Sequence, residues 1–282
     1  MPHFALDTRD FKRVARLAYD RFGLDMPESK QGMVQNRLTK LAREFGVDSL
    51  KELLDHIERS KSPEDLLSLF DVLSTNLTSF YRETVHFELL KQHVVGPALE
   101  ESQRGGPRKL RMWSAGCSNG CEPYTIGMAL VDSLPGIESW DVRVLATDLA
   151  ETEINLAKSA TYPSKVLEGV PQDAVRTYFR VGNRNGRPVY QVVDEVRRLV
   201  TFGLLNLMAP WPMKGPFDAI FCRNVMIYFD LETREKLVKR YTKLLRPGGL
   251  LCIGSSENLA GSHAELRRVG PSAFVKKGRG ET

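Results

Sequence analysis

Apolar residues in the first part of the chain recur three and four positions apart and never alternate over a useful length, so the opening pattern is helical. Residues 6–22, 32–45 and 50–60 each carry such a stripe, and in the second Val34, Leu38, Leu41 and Phe45 fall on one face. Gly23 and Gly46 stand where a left-handed C-cap ends a helix. Ser62-Pro63-Glu64 reads as a further helix start, serine capping and proline in the first turn, and the helix runs on through Leu66, Leu69, Phe70 and Leu73. These segments predict a small all-helical N-terminal domain.

From residue 109 the period changes. Short apolar runs at 109–114, 141–147, 199–205, 217–223 and 250–254 alternate with helical segments at 123–133, 151–160 and 231–245. That alternation predicts an α/β, doubly wound sheet with helices on both faces. The boundary is placed near residue 90, giving units 1–90 and 91–282, with the Gly- and Arg-rich run 101–108 as a hinge. An insertion over about 162–200 breaks the order: Tyr178-Phe179-Arg180 and Val189-Tyr190-Gln191-Val192 flank Gly182-Asn183-Arg184-Asn185-Gly186-Arg187, the pattern of a β-hairpin. Such a hairpin is an interaction arm, a lid or a decoration, and its edge strand offers a place for β-addition of a peptide.

With 282 residues, 42% of them hydrophobic and 27% charged, the chain can bury a substantial core. No run reaches the ~18 apolar residues of a membrane helix, and charges within residues 1–10 exclude a signal peptide. A cytoplasmic monomer without membrane insertion is expected. Cys117, Cys121, Cys222 and Cys252 lack the paired spacing of a disulfide framework and read as reduced thiols. An iron–sulfur reading of Cys117-x-x-x-Cys121 needs a third cysteine where Tyr124 stands, and no histidine lies nearby, so no metal is expected. The net charge of +5 is concentrated early, in Arg9, Lys12, Arg13, Arg16, Arg21, Lys30, Arg37, Lys40 and Arg43. That face is either solvated helix surface or a site for an acidic partner. Finger, basic-zipper and RNA-binding signatures are absent, so nucleic acid is not expected.

The chemistry concentrates in Trp113-Ser114-Ala115-Gly116-Cys117-Ser118-Asn119-Gly120-Cys121-Glu122-Pro123-Tyr124, where an apolar strand feeds a small-residue turn that opens into a helix. Gly116 and Gly120 allow close backbone approach, and the free N–H groups of the helix start favour an electron-rich guest. The spacing is not that of a pyrophosphate turn, and an acid, Glu122, stands in place of a cation. An acidic nucleoside pocket suits a cationic, phosphate-free cofactor, and S-adenosylmethionine fits. In open sheets ligands lie beyond the carboxyl ends of the strands, which brings in Asp148, Asn206 and Asn224. Asp148 is either a ribose ligand, the cap of the next helix, or both.

Five blocks, residues 76–83, 113–124, 205–207, 222–229 and 255–258, resemble in order those of the chemotaxis receptor methyltransferases, and the likeness spans about residues 30 to 275. The resemblance implies a Rossmann-like class I methyltransferase sheet and methyl transfer from S-adenosylmethionine to receptor glutamates, leaving S-adenosylhomocysteine. It also implies a cofactor pocket lined by Asn76, Thr78, Arg82, Glu122, Asp148, Asn206, Leu207, Asn224 and Val225. The family has two adjacent acids after the second glycine; here the first is Cys121, so the acidic role passes to Glu122.

Methyl transfer to a carboxylate is an in-line displacement whose nucleophile is already an anion near neutral pH, so no general base is needed. Arg82 offers a planar fork for a carboxylate, of the cofactor or of the acceptor, against a surface ion pair with Glu83 as the plain alternative. Tyr228 orients the acceptor or is a core aromatic beside Phe229. Under the same resemblance Arg37, Lys40 and Arg43 would register the acidic cytoplasmic helices of a chemoreceptor, and the hairpin resembles the family's β subdomain, which grips a receptor tail peptide in some members and not in others. A non-catalytic adaptor on the same fold stays open, since Cys121 departs from the pattern. A nucleic-acid methyltransferase is disfavoured, because Asn224-Val225-Met226-Ile227-Tyr228 stands where an Asn/Asp-Pro-Pro-aromatic loop belongs.

Overall fold

The computed structural model describes residues 4–60, 62–74, 77–259 and 263–278. Helices α1 (Thr8–Phe22), α2 (Gln31–Glu44), α3 (Leu50–Arg59) and α4 (Pro63–Leu73) form the N-terminal unit. Their ends follow from the sequence. Asp7 accepts the Asp10 N–H at 2.7 Å, Ser49 the Glu52 N–H at 3.1 Å and Ser62 the Glu64 N–H at 3.2 Å. Gly23, at φ +73°, closes α1 by donating to the Tyr19 carbonyl at 2.8 Å. The helical stripe becomes a core in which Val34, Leu38, Leu53, Leu54 and Leu69 are fully buried. Each such leucine contributes about 1.5–3 kcal/mol of apolar burial.

Helices α5 (Val85–Leu90) and α6 (Gly96–Gln103), joined by a wide turn at Lys91–Val95, pack against the sheet rather than on α1–α4. Phe87, Leu90 and Val94 share one apolar cluster with Met112, Val144, Phe221 and Leu250.

The second unit runs β1 (Lys109–Ala115), α7 (Cys121–Ser133), β2 (Asp141–Asp148) and α8 (Glu151–Ser159). The insertion follows as β3 (Thr161–Pro163), α9 (Gln172–Tyr178), β4 (Phe179–Arg184) and β5 (Arg187–Val192). The chain returns through α10 (Asp194–Arg197), β6 (Val200–Leu204), β7 (Phe217–Cys222), α11 (Leu231–Leu244), β8 (Leu245–Ile253), β9 (Leu266–Gly270) and β10 (Ala273–Lys276). Strand order is β6-β2-β1-β7-β8-β10-β9, parallel from β6 to β8 and antiparallel at the last two strands. From β1 the chain steps outward through β2 to β6, then returns to the other side of β1 with β7. The crevice beyond the carboxyl ends of β1 and β7 is therefore the switch point of a doubly wound fold.

The hairpin forms with Asn185 and Gly186 both at positive φ, as a two-residue turn that matches strand twist requires. It is the outer part of a three-stranded sheet, β3-β5-β4, and among the described residues no strand pairs with the far edge of β4. The four cysteines are buried free thiols. Among the described residues no helix is long and apolar enough to cross a membrane, and no cluster of ligands suits a metal ion.

Candidate functional site

A cleft enclosing about 970 Å³, open mouth included, lies at the switch point between the helical unit and the sheet. Its walls come from both: Phe22 and Leu24 at the end of α1, Phe70 and Ser74 at the end of α4, and the turns after β1, β2, β6 and β7. Thr78, Arg82, Gly116, Glu122, Asp148, Asn206, Leu207, Asn224, Val225 and Tyr228 all line it. Asn76 lies outside the described residues.

At the β1 turn, Gly116 sits at φ +86°, and a β-carbon built there would run into the Val225 side chain across the cleft. Only glycine combines that backbone with so close an approach. The substitution Gly116→Ala is expected to cost about 1–3 kcal/mol of stability from the dihedral alone. It should also narrow the cleft, so a thermal melt and a calorimetric titration with cofactor check the two effects separately.

Asp148, at the end of β2, is buried and lines the cleft. Its Oδ2 accepts the Ser118 N–H at 2.7 Å and its Oδ1 the Ala150 N–H at 3.0 Å, which ties the β1 turn to the start of α8. Burial raises its pKa, and the backbone N–H groups of Ala150, Ser118 and Leu149 oppose that rise. Glu122 is held by the Ser114 hydroxyl at 2.7 Å and by Arg223 Nη1 at 3.2 Å. Burial pushes its pKa up, and the Arg223 charge pulls it back. Cys121 turns away from the cleft into a cluster with Phe80, Tyr124 and Tyr162, and its thiol stays protonated because it is buried.

Arg82 is half-buried and donates to the Leu77 carbonyl at 3.1 Å. Its neighbours Tyr81 and Glu83 both adopt positive φ, +55° and +54°, unusual for residues with side chains. Glu83 pairs with Arg223 at 3.1 Å rather than with Arg82. Asn206 uses its amide structurally: Nδ2 donates to the Arg21 carbonyl at 2.9 Å and Oδ1 accepts the Met208 N–H at 2.9 Å, pinning α1 to the loop after β6. Tyr228 is half-buried on the cleft wall, and its carbonyl accepts the Asp25 N–H at 2.8 Å.

The three cations of α2 have separate fates. Arg37 donates to the carbonyls of Val72, Leu73 and Ser74 at 3.2, 2.8 and 2.9 Å, so it holds the end of α4 that borders the cleft. Lys40 is exposed, with Glu44 at 3.9 Å, and Arg43 lies over the Phe4 ring at 5.6 Å. Arg13, in the same basic stretch, is taken up by Asp10, Asp55 and Glu58 at 2.6–2.9 Å.

Two charged residues had been given no role from sequence. Arg223 is 2% exposed in its side chain and lies between Glu83 and Glu122. Glu257, buried in the turn after β8, accepts the N–H groups of Gly254 at 2.5 Å, Ile227 at 3.0 Å and Asn224 at 3.1 Å. It thereby shapes the loop carrying Asn224, which sits at φ +59°. Both belong to the blocks on which the family resemblance rests, which was the available signal.

A family model described as CheR methyltransferase, SAM binding domain, matches residues 76–274, and one described as CheR methyltransferase, all-alpha domain, matches residues 9–74. The chain is 38% identical over 245 residues to a probable chemotaxis protein methyltransferase of Rhizobium etli, covering 87% of this chain and 91% of that protein. It is 36% identical over 272 residues to chemotaxis protein methyltransferase 2 of Pseudomonas aeruginosa, with 96% and 94% covered. To the chemotaxis protein methyltransferase of Escherichia coli it is 37% identical over 264 residues, with 93% and 88% covered.

Proposed function

The chain belongs to the CheR methyltransferase family, and from that premise we propose that it methylates glutamate side chains on the cytoplasmic helices of chemoreceptors, using S-adenosylmethionine and leaving S-adenosylhomocysteine. The observation that carries the reading is the charge inventory of the cleft. Among the described residues that line it are two buried acids and two arginines, and neither histidine nor lysine. That set suits transfer to an acceptor that is already an anion and needs no proton removed.

The residues present fit the cofactor. The Gly116 turn gives a backbone cradle facing Val225. The Asp148 carboxylate keeps lone pairs for ribose hydroxyls, and the buried Glu122 offers a negative charge to an ammonium. Leu207 and Val225 supply apolar wall for a base. When bound, the cofactor supplies an electrophilic methyl group on a sulfonium. Arg82 then holds a carboxylate in its planar fork, and Tyr228 orients the acceptor at the mouth of the cleft. Closure by Phe22, Leu24 and Phe70 keeps water away from the reacting atoms.

The acceptor helix is acidic, and the outer face of α2 supplies the complementary charge through Lys40 and Arg43. Reversal of both, Lys40→Glu with Arg43→Glu, is expected to lower kcat/KM for receptor about 10-fold at low ionic strength, because rim charges steer encounter. The deficit should shrink as salt shortens the screening length to ~8 Å. Cofactor affinity in that variant should stay at its original value. Arg37 is set apart from this pair, since its loss would loosen the end of α4 at the cleft.

The proposal is tested by transfer of a labelled methyl group from S-adenosylmethionine to receptor-containing membranes, followed by mild alkali. Base-labile label released as methanol marks a carboxyl ester. Base-stable label on the receptor would move the acceptor to nitrogen.

A further inference from the structure

We propose that Arg223 is a positioning residue for the methyl transfer, a buried clamp that sets Arg82 and Glu122 against each other across the cleft. The inference rests on the function proposed above, and its geometry is independent of it. Arg223 follows β7 and reaches into the seam where the segment after α4 crosses the turns of β1 and β8. Its Nη2 donates to the backbone carbonyl of Arg82, and Nε and Nη2 lie 3.3 and 3.1 Å from Glu83 Oε2. Its Nη1 donates to Glu122 Oε2 at 3.2 Å, and its guanidinium carbon lies 5.7 Å from the centre of the Phe87 ring.

One side chain therefore touches both the residue assigned to a carboxylate and the residue assigned to an ammonium. The contacts also explain the unusual backbone around Arg82. Residues at positive φ on both sides of it persist only where their surroundings over-determine them. Arg223 supplies that constraint from one side, and the Ser255 N–H, donating to Glu83 Oε1 at 3.1 Å, supplies it from the other. His86, buried beneath, donates from Nε2 to the Pro271 carbonyl at 3.0 Å, and its Nδ1 stands 3.4 Å from Glu83 Oε2, which closes the network.

A lysine at 223 would keep one charge and lose the fork, so it would serve Glu83 and Glu122 only in part and release the Arg82 carbonyl. Methionine would leave two carboxylates facing each other without a cation. Glu122 would then face Glu83 and the buried thiols of Cys117, Cys222 and Cys252, with Arg82 the remaining guanidinium among the described residues that line the cleft. Losing the Arg223 charge removes what pulls the Glu122 pKa down against burial, so that pKa rises further and cofactor affinity falls on the acid side.

The test compares wild type, Arg223→Lys and Arg223→Met by thermal melting, by calorimetric titration with S-adenosylhomocysteine between about pH 6 and pH 8.5, and by turnover on receptor. A misplacement of about 1 Å at the reacting centre costs on the order of 100-fold in rate, and that is the expected fall in kcat for Arg223→Lys at saturating cofactor. Arg223→Met should show affinity that rises with pH more steeply than wild type. If Arg223→Met fails to fold, Arg223→Lys alone decides. A Lys variant with wild-type kcat overturns the proposal. So does a rate that falls only in proportion to lost stability with an unchanged pH profile, which reduces Arg223 to a structural ion pair. Wild type that binds cofactor but never methylates receptor would contradict the proposed function instead, and the titration would still report on the clamp.

Discussion

Replacing Arg82 with alanine is expected to lower kcat/KM for receptor methylation about 100- to 1,000-fold, or ~3–4 kcal/mol of transition-state stabilisation. Arg82 is the half-buried cation on the cleft wall whose backbone is held, on both sides, in conformations rare for residues with side chains. Protein structures tolerate that kind of strain where a group must be aimed. Its guanidinium spends one donor on the Leu77 carbonyl and has four more in a plane suited to a carboxylate. Arg82→Lys should recover only a small part of the loss, because a point charge does not reproduce a fork. The loss of rate should exceed the loss of cofactor affinity in the same variant. Single-turnover rates at saturating cofactor, set beside calorimetric Kd values, check this. An Arg82→Ala enzyme within threefold of wild type would remove Arg82 from the site.

The second large effect is expected at Asp148. Asparagine keeps the shape of the side chain but turns one acceptor into a donor that faces the N–H of Ser118 or Ala150. Hydrogen bonds to a charged acceptor are worth ~1.5–3 kcal/mol each, so Asp148→Asn should weaken cofactor binding about 30- to 100-fold. The turn before α8 should loosen as well, visible as a lower Tm. Turnover at saturating cofactor should change far less, because under the proposed function Asp148 would hold the nucleoside and not the reacting atoms. Titration at several temperatures with parallel melts separates the two. A variant with unchanged affinity and a lower Tm would leave Asp148 only as the tie between the β1 turn and the start of α8.

The strands that meet at the switch point were legible because apolar runs and turns alternate there without ambiguity. Four of the five expected strands lie within a residue or so of those found, while β8 begins at Leu245, ahead of residue 250. The pair β9 and β10 was missed: Arg267 and Arg268 break the alternation of a short, half-exposed edge. Strand β3 was missed because three residues carry no period. At the site, Glu122 was legible as the acid of the turn, and the structure gives the physical reason why it and not Cys121 faces the cleft. Consecutive positions on a helix point about 100° apart, and Cys121 takes the inward one.

The network under the cleft was not readable. Arg223 meets Glu83 and Glu122 across 140 and 101 residues, and nothing local in either segment announces a buried partner so far away. Arg37 shows the opposite failure, since helical spacing placed it with Lys40 and Arg43 on a receptor-facing side. Its real partners are the terminal carbonyls of α4, orphan acceptors that only the packing of α2 against α4 brings within reach.

The most direct test of the central claim is mass spectrometry of receptor peptides after incubation with the enzyme and S-adenosylmethionine. The expected result is a mass increment of one CH₂ on specific glutamates of the cytoplasmic helices, lost on mild alkali and absent with Arg82→Ala. Increments on lysine, arginine or histidine, or unmodified glutamates in a reaction where cofactor is consumed, would contradict it.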